Sequence, residues 1–287
     1  MSEQLAPVGG LQLAYETIGD PGGVPTLLVA GLGSQMLRWD EGFCGLLADR
    51  GRFVVRFDNR DVGRSSSIDG GPRPDVVAAL GGDASSASYT LEDMADDAVG
   101  LLDHLSIDAA QVIGVSMGGM IAQTMAIRRP ERLRSLVSIM STTGDRDVGR
   151  ARHETVPVLL TPAPREQDAY VDYYVGICEA LAGRMYEVDE ARERGRGARM
   201  FARGINPEGT GRQLLAVIAS GDRTAALASV RVPTLVLHGD DDPLIDVSGG
   251  RATAAAIPGA LLTVFPGMGH ELPAELWPVV VEAVVAT

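Results

Sequence analysis

Gln111-Val112-Ile113-Gly114-Val115-Ser116-Met117-Gly118-Gly119-Met120 is the stretch that decides the fold. Gln111–Val115 is a short apolar run of the kind a strand buried on both faces shows. It passes through Gly-x-Ser-x-Gly into Met117–Arg129, which reads as a helix ended by Pro130. The pentapeptide alone is a weak signal. A strand on one side and a helix on the other make it a nucleophile elbow. Flanking glycines remove side chains that would clash in so sharp a turn. The serine oxygen then projects at the carboxyl end of the sheet, beside the N–H groups and the positive dipole end of the following helix.

Working outward, strand and helix signals alternate. Leu11–Thr17, Thr26–Ala30, Arg52–Phe57 and Ser135–Met140 read as strands. Val62–Ser88 is rich in Gly, Ser, Pro and Asp and reads as a long loop, with one helical turn at Val76–Leu80. A helix follows, with Thr90 as N-cap and Asp93 three residues on, in the manner of a capping box. From Thr142 to Ala228 only helical segments are legible, among them Arg165–Ala182 and Gly211–Ser220. Alternation resumes with strand Thr234–His238, helix Ser248–Ala256, strand Leu261–Phe265 and helix Ala274–Val285. The pattern predicts an α/β fold with a mostly parallel central sheet flanked by helices. The domain reading is a core of residues 1–141 and 229–287, with a helical insertion over 142–228.

A serine needs a base to become a nucleophile. Of the four histidines, His104 flanks an acidic helix face, His153 lies in the insertion without a supporting pattern, and His238 ends a strand. His270 sits in Pro266-Gly-Met-Gly-His270-Glu-Leu-Pro, a glycine-rich loop at the carboxyl edge of the sheet, and is the candidate base. The base needs a carboxylate partner. Asp240, Asp241 and Asp242 all follow strand Thr234–His238; Asp242, with Pro243 behind it, is the first choice and Asp240 the second. Charge developing on a carbonyl oxygen needs N–H donors. Met117, after the serine, supplies one, and Leu32 in Ala30-Gly31-Leu32-Gly33-Ser34 the other.

Composition narrows the partners. The chain has 287 residues, enough for a sizeable core without disulfides or metal. It carries 25 Lys plus Arg, every one of them arginine, against 38 Asp plus Glu, a net charge of −13. Such a surface argues against nucleic-acid and anionic-membrane partners. Cys44 and Cys178 lack any metal-ligand spacing, so neither a metal site nor a disulfide framework is expected. No secretory leader and no membrane span are read from the sequence, and the expected location is cytoplasmic. Trp39, Tyr170, Tyr173 and Tyr174, with Met36, Met117 and Met120, could wall a pocket, although plain core is the simpler reading. Arg184–Arg203 holds six arginines against four acids and is read as a solvated helix face.

Ala30-Gly-Leu-Gly, Arg56-Phe-Asp-Asn-Arg-Asp-Val-Gly-Arg-Ser65, Gly114-Val-Ser-Met-Gly-Gly119, His238-Gly-Asp-Asp-Asp242 and Gly267-Met-Gly-His270 occur in this order over nearly the whole chain. In these segments the chain resembles the α/β-hydrolase superfamily, and within it the aclacinomycin methylesterase group, most clearly at Arg56–Ser65 and Pro266–Pro273. The resemblance implies an α/β-hydrolase fold with a helical cap after the sixth strand. It also implies a Ser116–His270–Asp242 triad and Leu32 and Met117 as oxyanion donors. Many relatives have His-Gly before the oxyanion turn where this chain has Ala30-Gly31; the donor is backbone, so the function survives the change. The segment with Asp58, Arg60, Asp61 and Arg64 is assigned no catalytic role. The expectation is a cofactor-free serine carboxylic-ester hydrolase acting through an acyl-enzyme on a small-molecule ester. A perhydrolase, a lactonase or a non-turnover ligand receptor on the same scaffold are the alternatives. An epoxide hydrolase or dehalogenase would need aspartate at 116.

Overall fold

A computed structural model describes residues 3–287. The chain opens with a hairpin of β1 (Gln4–Val8) and β2 (Leu11–Ile18). Its two turn residues, Gly9 and Gly10, both have positive φ, as a tight hairpin turn requires. β1 is absent from the sequence reading because it is short, contains Pro7 and lies at the sheet edge, where proline is tolerated. Next come β3 (Val24–Val29), α1 (Glu41–Ala48) and β4 (Arg52–Phe57). α1 also escapes the sequence reading: two turns long and holding Gly42 and Gly45, it has little helical signal.

The long loop after β4 carries the expected single turn, α2 (Val76–Leu80). α3 (Leu91–His104) starts at the capping box, with Thr90 N–H donating to Asp93 Oδ2 at 2.7 Å. The succession β5 (Ala110–Val115), α4 (Met117–Arg128), β6 (Leu133–Ile139) follows. Five helices then intervene without a strand: α5 (Val156–Leu160), α6 (Gln167–Leu181), α7 (Glu190–Arg203), α8 (Pro207–Ser220) and α9 (Thr224–Leu227). α8 begins earlier than the sequence reading has it, because Asn206 Oδ1 caps it by accepting from Gly209 N–H. The chain closes with β7 (Thr234–Gly239), α10 (Ser248–Ala256), β8 (Leu261–Phe265) and α11 (Trp277–Ala286).

One sheet holds all eight strands of the described residues in the order β1-β2-β4-β3-β5-β6-β7-β8. β1 and β2 pair antiparallel with their neighbours; β4 to β8 are parallel. Adjacent residues of the central strands bury into opposite layers, as the two-residue period of a strand dictates. Leu27, Val55, Val112 and Leu136 join the layer under α3 and α4. Leu28, Val54, Ile113 and Val137 join the layer under α1 and α11. Of the five helices between β6 and β7, α6 and α7 share a small cluster, Tyr170, Tyr174, Cys178 and Met200, closed by Leu37 from the segment between β3 and α1. Leu227, at the end of α9, is already fully buried in the α3/α4 layer.

Candidate active site

Ser116 lies between β5 and α4 with φ 56° and ψ −122°, a conformation rare for a residue with a side chain. A Cβ at Gly114 would stand 2.1 Å from Gly118 O, and one at Gly118 would stand 2.1 Å from Val29 O. The elbow can form only with glycine at both positions. Ser116 N–H donates to Ile139 O at 2.9 Å, and Ser141 Oγ–H donates to Ser116 O at 2.8 Å, which tie the turn to β6.

His270 is buried, and its Nδ1 meets Asp242 Oδ2 at 2.8 Å. Asp242 Oδ1 accepts the N–H groups of Leu244 and Ile245, each at 2.8 Å. Burial pushes the Asp242 carboxyl up, but His270, with hydrogen bonds from His238 and His270, outweighs it and holds Asp242 well below the usual carboxylate range. The other two aspartates have different partners. Asp240 Oδ1 accepts Gly267 N–H at 2.6 Å and so shapes the loop that carries His270. Asp241 is buried between Arg152 (2.7 Å) and Arg184 (2.9 Å). His238, which the sequence suggested would pack or hydrogen-bond, is fully buried; its Nε2 is 2.8 Å from Ile245 O and 3.4 Å from Asp242 Oδ2. His104 and His153 are exposed and outside the site.

Gly31 lies against the serine: a Cβ there would be 3.3 Å from Ser116 Cβ. Leu32 N–H and Met117 N–H have no acceptor among the described residues. Gly31, Leu32, Ser116 and His270 all line one cavity of about 270 Å³ beneath the inserted helices.

Trp39, Tyr170, Tyr173 and Tyr174 wall this cavity, whereas Met36, Met117 and Met120 are buried elsewhere. The aromatic residues therefore take the pocket role that the sequence reading ranked second. One end of the cavity is polar, which the sequence reading missed. Arg38 pairs with Glu271 and Glu193 and donates to Tyr174 Oη at 3.2 Å; Arg196 pairs with Glu193 at 2.6 Å and with Asp40. Burial pushes Glu193 up, but Arg38, Arg196 and Arg192 outweigh it and keep it ionised. Cys178 lines the same wall, and burial pushes its thiol up to about 12, which disfavours the thiolate.

This polar end corrects the reading of Arg184–Arg203 as a solvated face. Arg184, Arg194 and Arg199 are exposed, but Arg196 is buried and Arg203 reaches Asp58 at 2.7 Å. Asp58 and Asp61, from the loop after β4, are fully buried as side chains and pair with Arg203 of α7 and Arg212 of α8 at 2.7 and 2.6 Å. Only proximity of these partners, 145 and 151 residues away, reveals the role.

Known proteins place the site in context. The chain is 30% identical over 281 residues to the rhodomycin D methylesterase DauP of Streptomyces sp. strain C5, covering 90% of this chain and 88% of that one. It is 29% identical to the rhodomycin D methylesterase DnrP of Streptomyces peucetius, with the same coverage. The crystal structure of a hydrolase from Pseudomonas aeruginosa PA01 superposes with a TM-score of 0.73 at 25% identity, over 99% of this chain and 97% of that one. The family model described as alpha/beta hydrolase fold matches residues 24–275, a span that includes the elbow, the loop after β3, Asp242 and His270, and the chain belongs to that family.

Proposed function

We propose that the protein is a serine carboxylic-ester hydrolase with Ser116 as nucleophile, His270 as base and Asp242 as the carboxylate that orients it. The observation that carries the reading is the His270 Nδ1–Asp242 Oδ2 contact of 2.8 Å, in the wall of the cavity that Ser116 faces. With Nδ1 engaged, Nε2 is the ring nitrogen left to take the serine proton. His270 Nε2 takes that proton as Ser116 Oγ attacks the ester carbonyl. The N–H groups of Leu32 and Met117 receive the oxyanion. The alcohol leaves with the proton from His270, and water activated by the same nitrogen releases the acid and restores Ser116. In this reading the Ser116–His270 hydrogen bond forms as substrate enters, since catalytic contacts are often long or poorly aligned in the free enzyme.

The helices over residues 142–228 act in this reading as a cap that forms the acyl or alcohol pocket. Its tyrosine walls favour a small or medium apolar ester, and the methylesterase relatives make methyl esters the first series to screen. No metal or organic cofactor enters the mechanism. The two cysteines are free and buried, which fits a reducing, cytoplasmic setting, and no helix among the described residues is long and apolar enough to cross a membrane.

The test is p-nitrophenyl butyrate hydrolysis through many enzyme equivalents, wild type beside Ser116→Ala. Sustained turnover that falls to background in Ser116→Ala is the expected result. A stoichiometric burst that stalls would replace the enzyme reading with a ligand receptor. Hydrolysis that survives in Ser116→Ala would remove Ser116 from the mechanism. Lactone opening and peroxide-dependent halogenation, run in parallel, separate lactonase and perhydrolase activity on the same triad.

A further inference from the structure

The loop after β3 presents three successive N–H groups, and two are already engaged. Ser34 N–H donates to Gly31 O at 3.2 Å, which closes the turn. Gly33 N–H donates at 2.8 Å to Oε1 of Gln213, a residue of α8 that lies 180 positions further along the chain. Leu32 N–H, the first of the three, is the one without an acceptor among the described residues. Gln213 is fully buried, and its Nε2 donates to Arg60 O at 2.8 Å. A buried amide with both its acceptor and its donor engaged has a single orientation. Its chain neighbour Arg212 grips Asp61 through Nη2 and Nε, at 2.6 and 2.9 Å, which fixes this turn of α8 against the loop after β4. The packing is close: a Cβ on Gly33 would stand 2.8 Å from Thr210 Oγ1, one turn earlier in α8, and Gly33 has φ +62°.

We propose that Gln213 is a positioning residue for the oxyanion hole: an inserted helix, not the sheet, sets the direction of Leu32 N–H. The proposal rests on the serine-hydrolase reading above. By taking up Gly33 N–H, Gln213 fixes the Leu32–Gly33 peptide and, through it, the peptide before it. Without that acceptor Gly33 N–H is a half-buried donor with no protein partner, and the loop rotates to find one. Leu32 N–H then leaves the place where the tetrahedral oxygen forms. The helical insertion thereby governs the reaction itself as well as the shape of the pocket: α8 must be seated for the hole to be complete.

The test uses Gln213→Met, which keeps the volume and removes the acceptor, and Gln213→Glu, which keeps an acceptor for Gly33 N–H and, with its carboxyl protonated in this buried place, the donor to Arg60 O. Kinetic constants for p-nitrophenyl butyrate are measured beside the inhibition constant of a trifluoromethyl ketone, whose adduct with the serine carries an oxyanion. In Gln213→Met, kcat falls about 10- to 100-fold, while KM changes by less than about threefold. The inhibition constant weakens by the same factor as kcat, and Gln213→Glu recovers most of the loss. A purely structural role would move melting temperature and active fraction without this parallel. Should Gln213→Met not fold, Gln213→Asn, which draws the acceptor back by one methylene, shows the same linked loss. Folded Gln213→Met or Gln213→Asn with kcat and ketone affinity within about twofold of wild type would overturn the proposal. Fluorophosphonate labelling of the wild type separates the two levels. A labelled, active wild type with unaffected variants defeats the role of Gln213 alone. A wild type neither labelled nor active defeats the serine-hydrolase reading and this proposal with it.

Discussion

Asp242 is held from both sides: Leu244 and Ile245 N–H groups on Oδ1, His270 and His238 on Oδ2. Asp242→Asn keeps the shape but removes the charge that fixes the His270 tautomer, and kcat should fall about 10⁴-fold. The carboxyl also contributes to stability, with a definite sign. Its folded pKa lies below the unfolded value, so its contribution is complete above about pH 4 and is lost as pH falls toward the folded value. Urea midpoints of wild type and Asp242→Asn should therefore differ most near neutrality and converge as the pH is lowered below about 4. A gap that widens on acidification would mean that Asp242 is not the ionised member of the site. The proposed Ser116 and His270 are legible in the sequence because glycines near them, required for steric reasons, leave a written pattern. The choice among Asp240, Asp241 and Asp242 was less sharp, since all three end one strand. Distant partners engage the other two, Gly267 N–H for Asp240 and Arg152 and Arg184 for Asp241, which supports Asp242 in the proposed role.

At the scale of elements, the inserted helices are joined to the core by ion pairs rather than by apolar contact alone. Asp58–Arg203 and Asp61–Arg212 bury carboxylates completely and leave the arginine side chains only 9% exposed. Removing one member of such a pair strands the other charge. Arg203→Met should cost about 3–5 kcal/mol in urea unfolding, and Asp58→Asn combined with Arg203→Met, which removes both charges and keeps an acceptor for Met36 N–H, should recover part of it. Equal losses in the single and double variants would show that the arginine acts through packing instead. These pairs explain why the insertion was the least legible part of the chain. Strands and helices of the core announce themselves by apolar period, as in β4, α2, α10 and β8, whose limits coincide with the sequence reading. A helix such as α7, with Arg192, Arg194, Arg196, Arg199 and Arg203, looks solvated until the acids that meet it are known. Those acids, Asp40, Glu41 and Asp58, come from the other end of the chain.

Over the whole molecule, a net charge of −13 spreads repulsion across the surface while the structural ion pairs lie inside. Salt screens exposed charges far more than buried ones. Raising sodium chloride from about 10 mM to about 300 mM should therefore raise the melting temperature modestly. A fall would mean that exposed pairs, such as Arg128–Glu92, outweigh the net repulsion. The parallel sheet was legible at this scale from the strand–helix alternation. The placement of β3 between β4 and β5 was not, because buried strands of one composition carry no address for their neighbours.

The buried aspartates also decide how this scaffold can be re-engineered. Exchanging residues 142–228 for the corresponding piece of another hydrolase would look like a simple transplant of a substrate-recognition module. It would remove Arg152, Arg184, Arg203, Arg212 and Gln213 together. Asp58, Asp61 and Asp241 would be left as acceptors for a graft that had no cations to offer, and Gly33 would lose its anchor. A chimera with new specificity must carry those contacts across with the loops, or have the three aspartates rewritten in the recipient.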